Sequence, residues 1–191
     1  VFNLAVLYDH MGQVTKAESF FIQALDIRKK LLGDMHPDYA VCMEALAMLY
    51  NKTGQYTKAE SLYLLALDIW KKVYGEFHPA YANSIDNLAT FYDRNSLYTK
   101  AEPLRIQALE IRKKVLGESH PDFAGSLNNL AALYYAMGQF GKAEQLYIQS
   151  KDIRKRLFGD IHPDYAVSLS NLAFLYDKMG QFAKAESFYL Q

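Results

Sequence analysis

The sequence has one cysteine and no excess of either charge, and both features exclude classes of protein. Because Cys42 is the only cysteine, no disulfide can form within the chain, and a reducing compartment is the simplest setting. We therefore expect a cytoplasmic location. Lys and Arg together number 21, as do Asp and Glu, so the formal net charge is zero. This balance argues against nucleic acid or an anionic membrane as partner.

Long apolar runs and catalytic motifs are also missing. No stretch approaches the roughly 18 consecutive apolar residues of a membrane span, and the opening VFNLAVLYDH lacks the basic start of a signal peptide. The sequence contains no phosphate-binding loop, nucleophile elbow or metal-ligand motif. We therefore expect no enzyme activity, no cofactor, no metal site and no membrane insertion.

The sequence does contain a repeat with a period of 42 residues. Four histidines are each followed by proline and differ by 42 in residue number: His36, His78, His120 and His162. The same interval relates two series of helix positions, one beginning at Ala5 and the other at Tyr8. A fixed period of about 20–50 residues predicts a solenoid, here of about four and a half units.

We predict a single array over residues 1–191. Its units are expected at about 1–36, 37–78, 79–120, 121–162 and 163–191. Because the first and last are shorter than one period, we interpret both end units as truncated and the chain as an excerpt of a longer array.

Each unit is predicted to contain two helices. In the unit that begins at Pro79, apolar residues follow the i, i+3, i+4, i+7 spacing of an amphipathic helix, which we name helix A. A turn around Ser96 ends it, where the other units have glycine. A second helix, helix B, ends at Gly117, and the Gly-x-x-His-Pro loop leads to the next unit. The fold class is therefore all-α.

One series of residues resembles a known family. Leu46, Ala47, Tyr50, Gly54, Tyr56, Ala59, Tyr63 and Ala66 resemble the tetratricopeptide repeat. The longer period, with LDIRKK and GxxHPD, is similar to the kinesin light chain type of that repeat. The resemblance implies a right-handed α-α superhelix with helix A on its concave wall. It also implies a protein–protein interaction scaffold.

The candidate binding site is the polar stripe of helix A. Asparagine can donate to and accept from a peptide backbone at once. One set of equivalent helix A positions is mostly asparagine in the successive units, and another set is mostly basic. This stripe resembles the groove of kinesin light chains, in which such asparagines, together with basic residues, bind acidic peptides that carry aromatic side chains. We therefore expect a protein or peptide segment to bind at Asn3, Asn83, Asn87, Asn128, Asn129, Asn171, Lys52, Arg94 and Lys178.

Several alternatives remain open at the level of residues. The asparagines could hydrogen-bond to the neighbouring unit, and the basic side chains could simply be solvated. Trp70, which stands where other units have arginine, could anchor a partner or pack over the next loop. The recurring histidines are expected to cap helices or order loops, because successive loops hold them too far apart to share zinc.

Two other functions remain open. The chain could be a structural spacer or a self-assembling array whose copies stack end to end. It could also be the regulatory repeat region of a larger signalling protein.

Overall fold

The structure, a computed structural model, describes residues 1–190 and contains α-helices but no strand in that range. Contacts divide the chain into two compact units, Val1–Asn95 and the residues from Ser96 onward. The first unit contains α1 (Phe2–His10), α2 (Val14–Leu32), α3 (Pro37–Lys52), α4 (Tyr56–Tyr74) and α5 (Pro79–Arg94). The second contains α6 (Tyr98–Leu116), α7 (Pro121–Ala136), α8 (Phe140–Phe158), α9 (Pro163–Lys178) and α10 (Phe182–Tyr189). The all-α prediction, with helices A and B in alternation, is confirmed.

Every helix A that follows a His-Pro pair begins in the same way. The proline occupies the first turn, where the missing N–H costs no hydrogen bond. The histidine is the N-cap, and its Nδ1 accepts a 3.1 Å hydrogen bond from the backbone N–H two residues further on. The capping role predicted for these histidines is confirmed at His36, His78, His120 and His162.

The turn between helix A and helix B needs a left-handed residue. Gly138 has φ 73° at this position in the second unit, and a Cβ added there would meet no atom within 4 Å. Ser96 occupies the equivalent position before α6 and adopts φ 59°. A non-glycine residue in this region is strained, so the structure keeps the turn geometry despite the substitution.

Small residues let paired helices approach closely. In the first unit Ala47 of α3 and Ala59 of α4 are completely buried, and so are Ala131 of α7 and Ala143 of α8 in the second. Within each unit, a helix B packs against its own helix A and against the next one. Since alanine leaves room for larger neighbours to interlock, these positions define the helix A–helix B interface.

Candidate functional site

In the first unit, three of the predicted binding residues line one cavity of about 270 Å³. Asn87 and Arg94 lie on α5, and Lys52 lies at the end of α3. We name this the groove cavity. Its remaining lining residues are Asp9, Met48, Asn51, Tyr63, Thr90 and Phe91. Except for Tyr63, which lies on α4, all of these residues belong to helices A.

The groove cavity has an aromatic floor and an apolar rim. Tyr63 and Phe91 are buried, at 4% and 3% exposure, and their ring centroids are 5.5 Å apart. Met48 stands at the rim with 58% of its surface exposed. Burial raises the pKa of Tyr63 to about 12, an effect that Glu44 increases and Arg94 opposes. The phenol therefore stays neutral at the bottom of the cavity.

The two cations of the groove cavity differ in their partners. Lys52 Nζ lies 2.9 Å from Asp9 Oδ1, so its charge is largely balanced by a neighbouring repeat. Arg94 is exposed and has no carboxylate within 4.0 Å among residues 1–190. Arg94 is therefore the cation of this cavity that can pair with an incoming anion.

Asn87 bonds to the neighbouring repeat, which is one of the two roles left open by the sequence. Its Nδ2 donates a 3.0 Å hydrogen bond to Glu44 Oε2, and Trp70 Nε1 donates one of 3.2 Å to Glu44 Oε1. Burial raises the pKa of Glu44, and the neighbouring Ser84, Asn87 and Trp70 side chains partly offset that rise. The Oδ1 of Asn87 makes no hydrogen bond within the described chain, so it can still accept one from a ligand.

The second unit brings another pair of predicted residues together. Asn171 Nδ2 on α9 donates a 2.7 Å hydrogen bond to Asn128 Oδ1 on α7. Asn129 is half-buried on α7, and Lys178 is exposed on α9. The bond between Asn171 and Asn128, like that of Asn87 in the first unit, connects helices A of consecutive repeats.

The other predicted residues of the first unit lie at exposed positions. Asn3 is exposed on α1, and Asn83 is exposed on α5 one turn before Asn87. Neither residue lines the groove cavity. Position on the helix A stripe therefore identifies exposed or half-buried polar residues, but only some of them converge on one cavity.

Sequence reasoning missed Glu44, which holds two donors at this site. The position is polar in the later units as well, as Asp86, Asn128 and Ser170, and this recurrence could have identified it from the sequence. Trp70 itself packs rather than projects: its ring stacks on Tyr74 at 5.7 Å and lies against the buried residues around Met43. Trp70 therefore packs against side chains of α3 and α4.

Within residues 1–190, no group of three or more His, Cys, Asp or Glu side chains is placed to hold a metal ion. None of the helices described has both the length and the apolar character needed to cross a bilayer.

Comparison with known structures gives matches over nearly the whole chain. One match is the crystal structure of a single-residue variant of a protein from Podosopora anserina. That protein is described as a kinesin light chain with nearly identical TPR-like repeats, and its sequence is 30% identical to this chain. The match covers 100% of this chain and 90% of that one, with a TM-score of 0.84. BtubC (BKLC) from P. vanneervenii is 32% identical over 97% of this chain and 74% of its own, with a TM-score of 0.81.

A more distant match shows the fold alone. The apo form of RapI is 17% identical, with a TM-score of 0.78 over 98% of this chain and 50% of its own. No curated protein matches the sequence.

A family model agrees with these structures. The model described as "Tetratricopeptide repeat" matches residues 1–64, 44–96, 84–147 and 122–191, which together span the chain. The 42-residue repeats are similar to those of the kinesin light chain-like structures. The chain therefore belongs to the tetratricopeptide repeat family.

Proposed function

We propose that this chain binds an extended protein or peptide segment along its helices A, with the groove cavity as the principal contact. Tetratricopeptide repeats are in general protein-interaction scaffolds, and the finer assignment to this groove is the proposal. The observation that carries it is the convergence of Asn87, Lys52 and Arg94 on one cavity. No catalytic step is proposed.

The chemistry of the cavity favours a segment with one acidic and one apolar side chain. Arg94 supplies a cation with no carboxylate neighbour in residues 1–190, so it can bind an aspartate or glutamate through charge-assisted hydrogen bonds. Met48 and Phe91 offer apolar surface beside it, and burial of a large side chain there is favourable. The Oδ1 of Asn87 can accept a backbone N–H of the same segment.

A random peptide library tests this proposal without knowledge of the natural partner. Random ten-residue peptides would be selected for binding to the immobilised wild-type chain. The dissociation constants of the best binders would then be measured by fluorescence anisotropy. We expect selected sequences to contain an acidic residue near an aromatic or long aliphatic one. Arg94→Glu should weaken these peptides about tenfold or more, since it replaces attraction by repulsion.

The control variant is Arg156→Glu, which reverses an exposed cation on α8, a helix B. It changes net charge by the same amount but should leave peptide binding within about twofold of wild type, because the residue lies outside the groove cavity. Equal losses from both reversals would show a non-specific charge effect. Selection of peptides without acidic residues, bound equally well by Arg94→Glu, would contradict the proposal.

We also propose a cytoplasmic location. Cys42 is a free, buried thiol, and burial raises its pKa to about 11, which keeps it in the unreactive protonated form. Cys42 also has no second cysteine in the chain with which to form a disulfide, and disulfides are typical of proteins in oxidising compartments. Cell fractionation of the native protein tests this, and recovery in a secreted fraction would contradict it.

A further inference from the structure

A second cavity in the first unit also measures about 270 Å³ and lies between α2, α3 and α4. Its floor is formed by the buried side chains of Met43 and Ile69. At its rim, Leu65 and Met35 expose 53% and 41% of their surface. We name it the Leu65 cleft. It shares no lining residue with the groove cavity.

The second unit contains the equivalent cavity two repeats later in the chain, with a different rim. Gln149 stands there in place of Leu65, and the residue equivalent to Met35 is Ser119. Glutamine also occupies the Leu65 position at Gln23 and Gln107. Leu65 is therefore a departure from the repeat pattern and is not required by the fold, whereas the Met35 position is also apolar in two of the other three units.

The charged residues beside the two cavities also differ. In the second unit Lys113 Nζ lies 2.5 Å from Glu118 Oε1, across the loop that follows helix B. The same ion pair recurs between Lys71 and Glu76 at 2.6 Å and between Lys155 and Asp160 at 2.9 Å.

Lys29 and Asp34 occupy these positions at the Leu65 cleft without pairing. No ion pair within 4.0 Å joins either side chain to another in residues 1–190. Side-chain length does not explain the difference, because the aspartate at position 160 does pair with its lysine. The apolar rim is thus flanked by one unpaired cation and one unpaired anion.

We propose that the Leu65 cleft is the contact surface of a two-fold dimer of this chain. A two-fold interface places the same patch of each copy against the other, so Lys29 of each copy can face Asp34 of the other. The single patch then satisfies both of its unpaired charges while Leu65 and Met35 are removed from water.

The charges at the cleft favour a second copy over an anionic surface. Asp34 and Asp68 both line the cleft, against the single cation Lys29. Lys72 balances Asp68 at 2.7 Å, which leaves the patch without net positive charge. An anionic membrane would require a basic patch, whereas a self-complementary interface needs equal numbers of each sign.

A helix position on α2 adds apolar area beside the cleft. Ile22 lies two turns before Lys29 on the same side of the helix and is exposed. The apolar part of the proposed interface therefore continues from the rim of the cleft along α2.

Sedimentation equilibrium of the wild-type chain over a wide concentration range tests the proposal. We expect the mass to rise from 21.9 kDa towards twice that value as concentration increases. Leu65→Gln, which introduces the residue found at the equivalent positions, should weaken dimerisation about tenfold or more. The matched control Gln149→Ala should leave the dissociation constant within about twofold. Circular dichroism and thermal unfolding establish that each variant is folded.

A charge reversal separates self-association from other contacts. Lys29→Glu and Asp34→Lys should each weaken the dimer, because each places like charges in opposition. The double variant should restore it, because both copies then carry the reversed pair. A wild-type chain that stays at 21.9 kDa, unchanged dimerisation in Leu65→Gln, or a double variant as weak as the single ones would each overturn the proposal. None of these outcomes depends on peptide binding in the groove cavity.

Discussion

The phenolic hydroxyl of Tyr92 on α5 donates a 2.6 Å hydrogen bond to Glu60 on α4. The bond joins helix A of one repeat to helix B of the repeat before it. Three further pairs, each 32 residues apart, repeat it: Tyr50 with Glu18, Tyr134 with Glu102, and Tyr176 with Glu144. Each pair therefore connects two consecutive repeats by a bond at the edge of the buried core.

Removing one of these hydroxyls should weaken the junction that it crosses. Tyr176→Phe keeps the ring and deletes the 2.6 Å bond to Glu144, so we expect a loss of about 1 kcal/mol in the free energy of unfolding. Urea denaturation measures it. Tyr189→Phe is the control, because Tyr189 is exposed on α10. Equal stability of the two variants would show that the hydroxyl bond contributes nothing.

The same hydroxyl predicts a loss of stability at high pH. Burial, the hydrogen bond to Glu144 and the charge of Glu144 raise the pKa of Tyr176 to about 12, from a usual value of 10.0. The unfolded chain therefore loses this proton first, so the contribution is complete below about pH 10 and is lost as pH rises towards 12. Subtracting the tyrosinate absorbance of Tyr176→Phe from that of wild type isolates the group. A titration midpoint near 10 would contradict the prediction.

The buried carboxyl of Glu44 predicts that the free energy of unfolding also depends on pH in the acidic range. Burial holds the pKa of its carboxyl above the usual 4.5, so the folded state binds the proton more tightly than the unfolded state does. The contribution of Glu44 to stability is therefore most favourable in acid and declines as pH rises through the raised pKa. Because Trp70 donates to this carboxylate and is the only tryptophan, its fluorescence should report the titration.

Glu44→Gln isolates this effect. The variant cannot ionise at this position, so its Trp70 fluorescence should be independent of pH as pH rises above 4.5, while that of the wild type changes. Glu76→Gln is a suitable control, because Glu76 is an exposed carboxylate paired with Lys71. A transition that persists in Glu44→Gln would mean that another group near the indole titrates.

Local features of the fold could be predicted from the sequence, whereas contacts between repeats could not. The capping role of His120 and the end of helix B at Gly117 depend on residues adjacent in the chain, and both predictions are confirmed. The partner of Asn87 is Glu44, 43 residues earlier, and its identity depends on how closely two helices A pack. Recurrence alone could have suggested the Tyr–Glu pairs, since a glutamate follows Lys-Ala in every unit.

Loss of a histidine cap should destabilise the helix that it begins. In His120→Ala the backbone N–H of Asp122 loses its 3.1 Å acceptor, and such losses typically cost about 1 kcal/mol. His120→Asn should retain most of the stability, because asparagine is a good N-cap. His10→Ala is the matched control, since that histidine lies in the last turn of α1 and caps no N-terminus. Chemical denaturation distinguishes the three variants, and equal losses in His120→Ala and His120→Asn would contradict the capping role.

The turn at Ser96 offers the reverse experiment, a substitution that should stabilise. Ser96 holds φ 59°, a conformation that costs residues with a Cβ roughly 1–2 kcal/mol, while glycine adopts it freely at a smaller entropic cost. We therefore expect Ser96→Gly to raise the free energy of unfolding by about 1 kcal/mol. Gly138→Ser is the mirror variant: its added Cβ meets no atom within 4 Å, so any loss must come from the backbone. Thermal unfolding should shift upward in the first and downward in the second, and a downward shift in Ser96→Gly would mean that the serine side chain stabilises the turn by more than its strain.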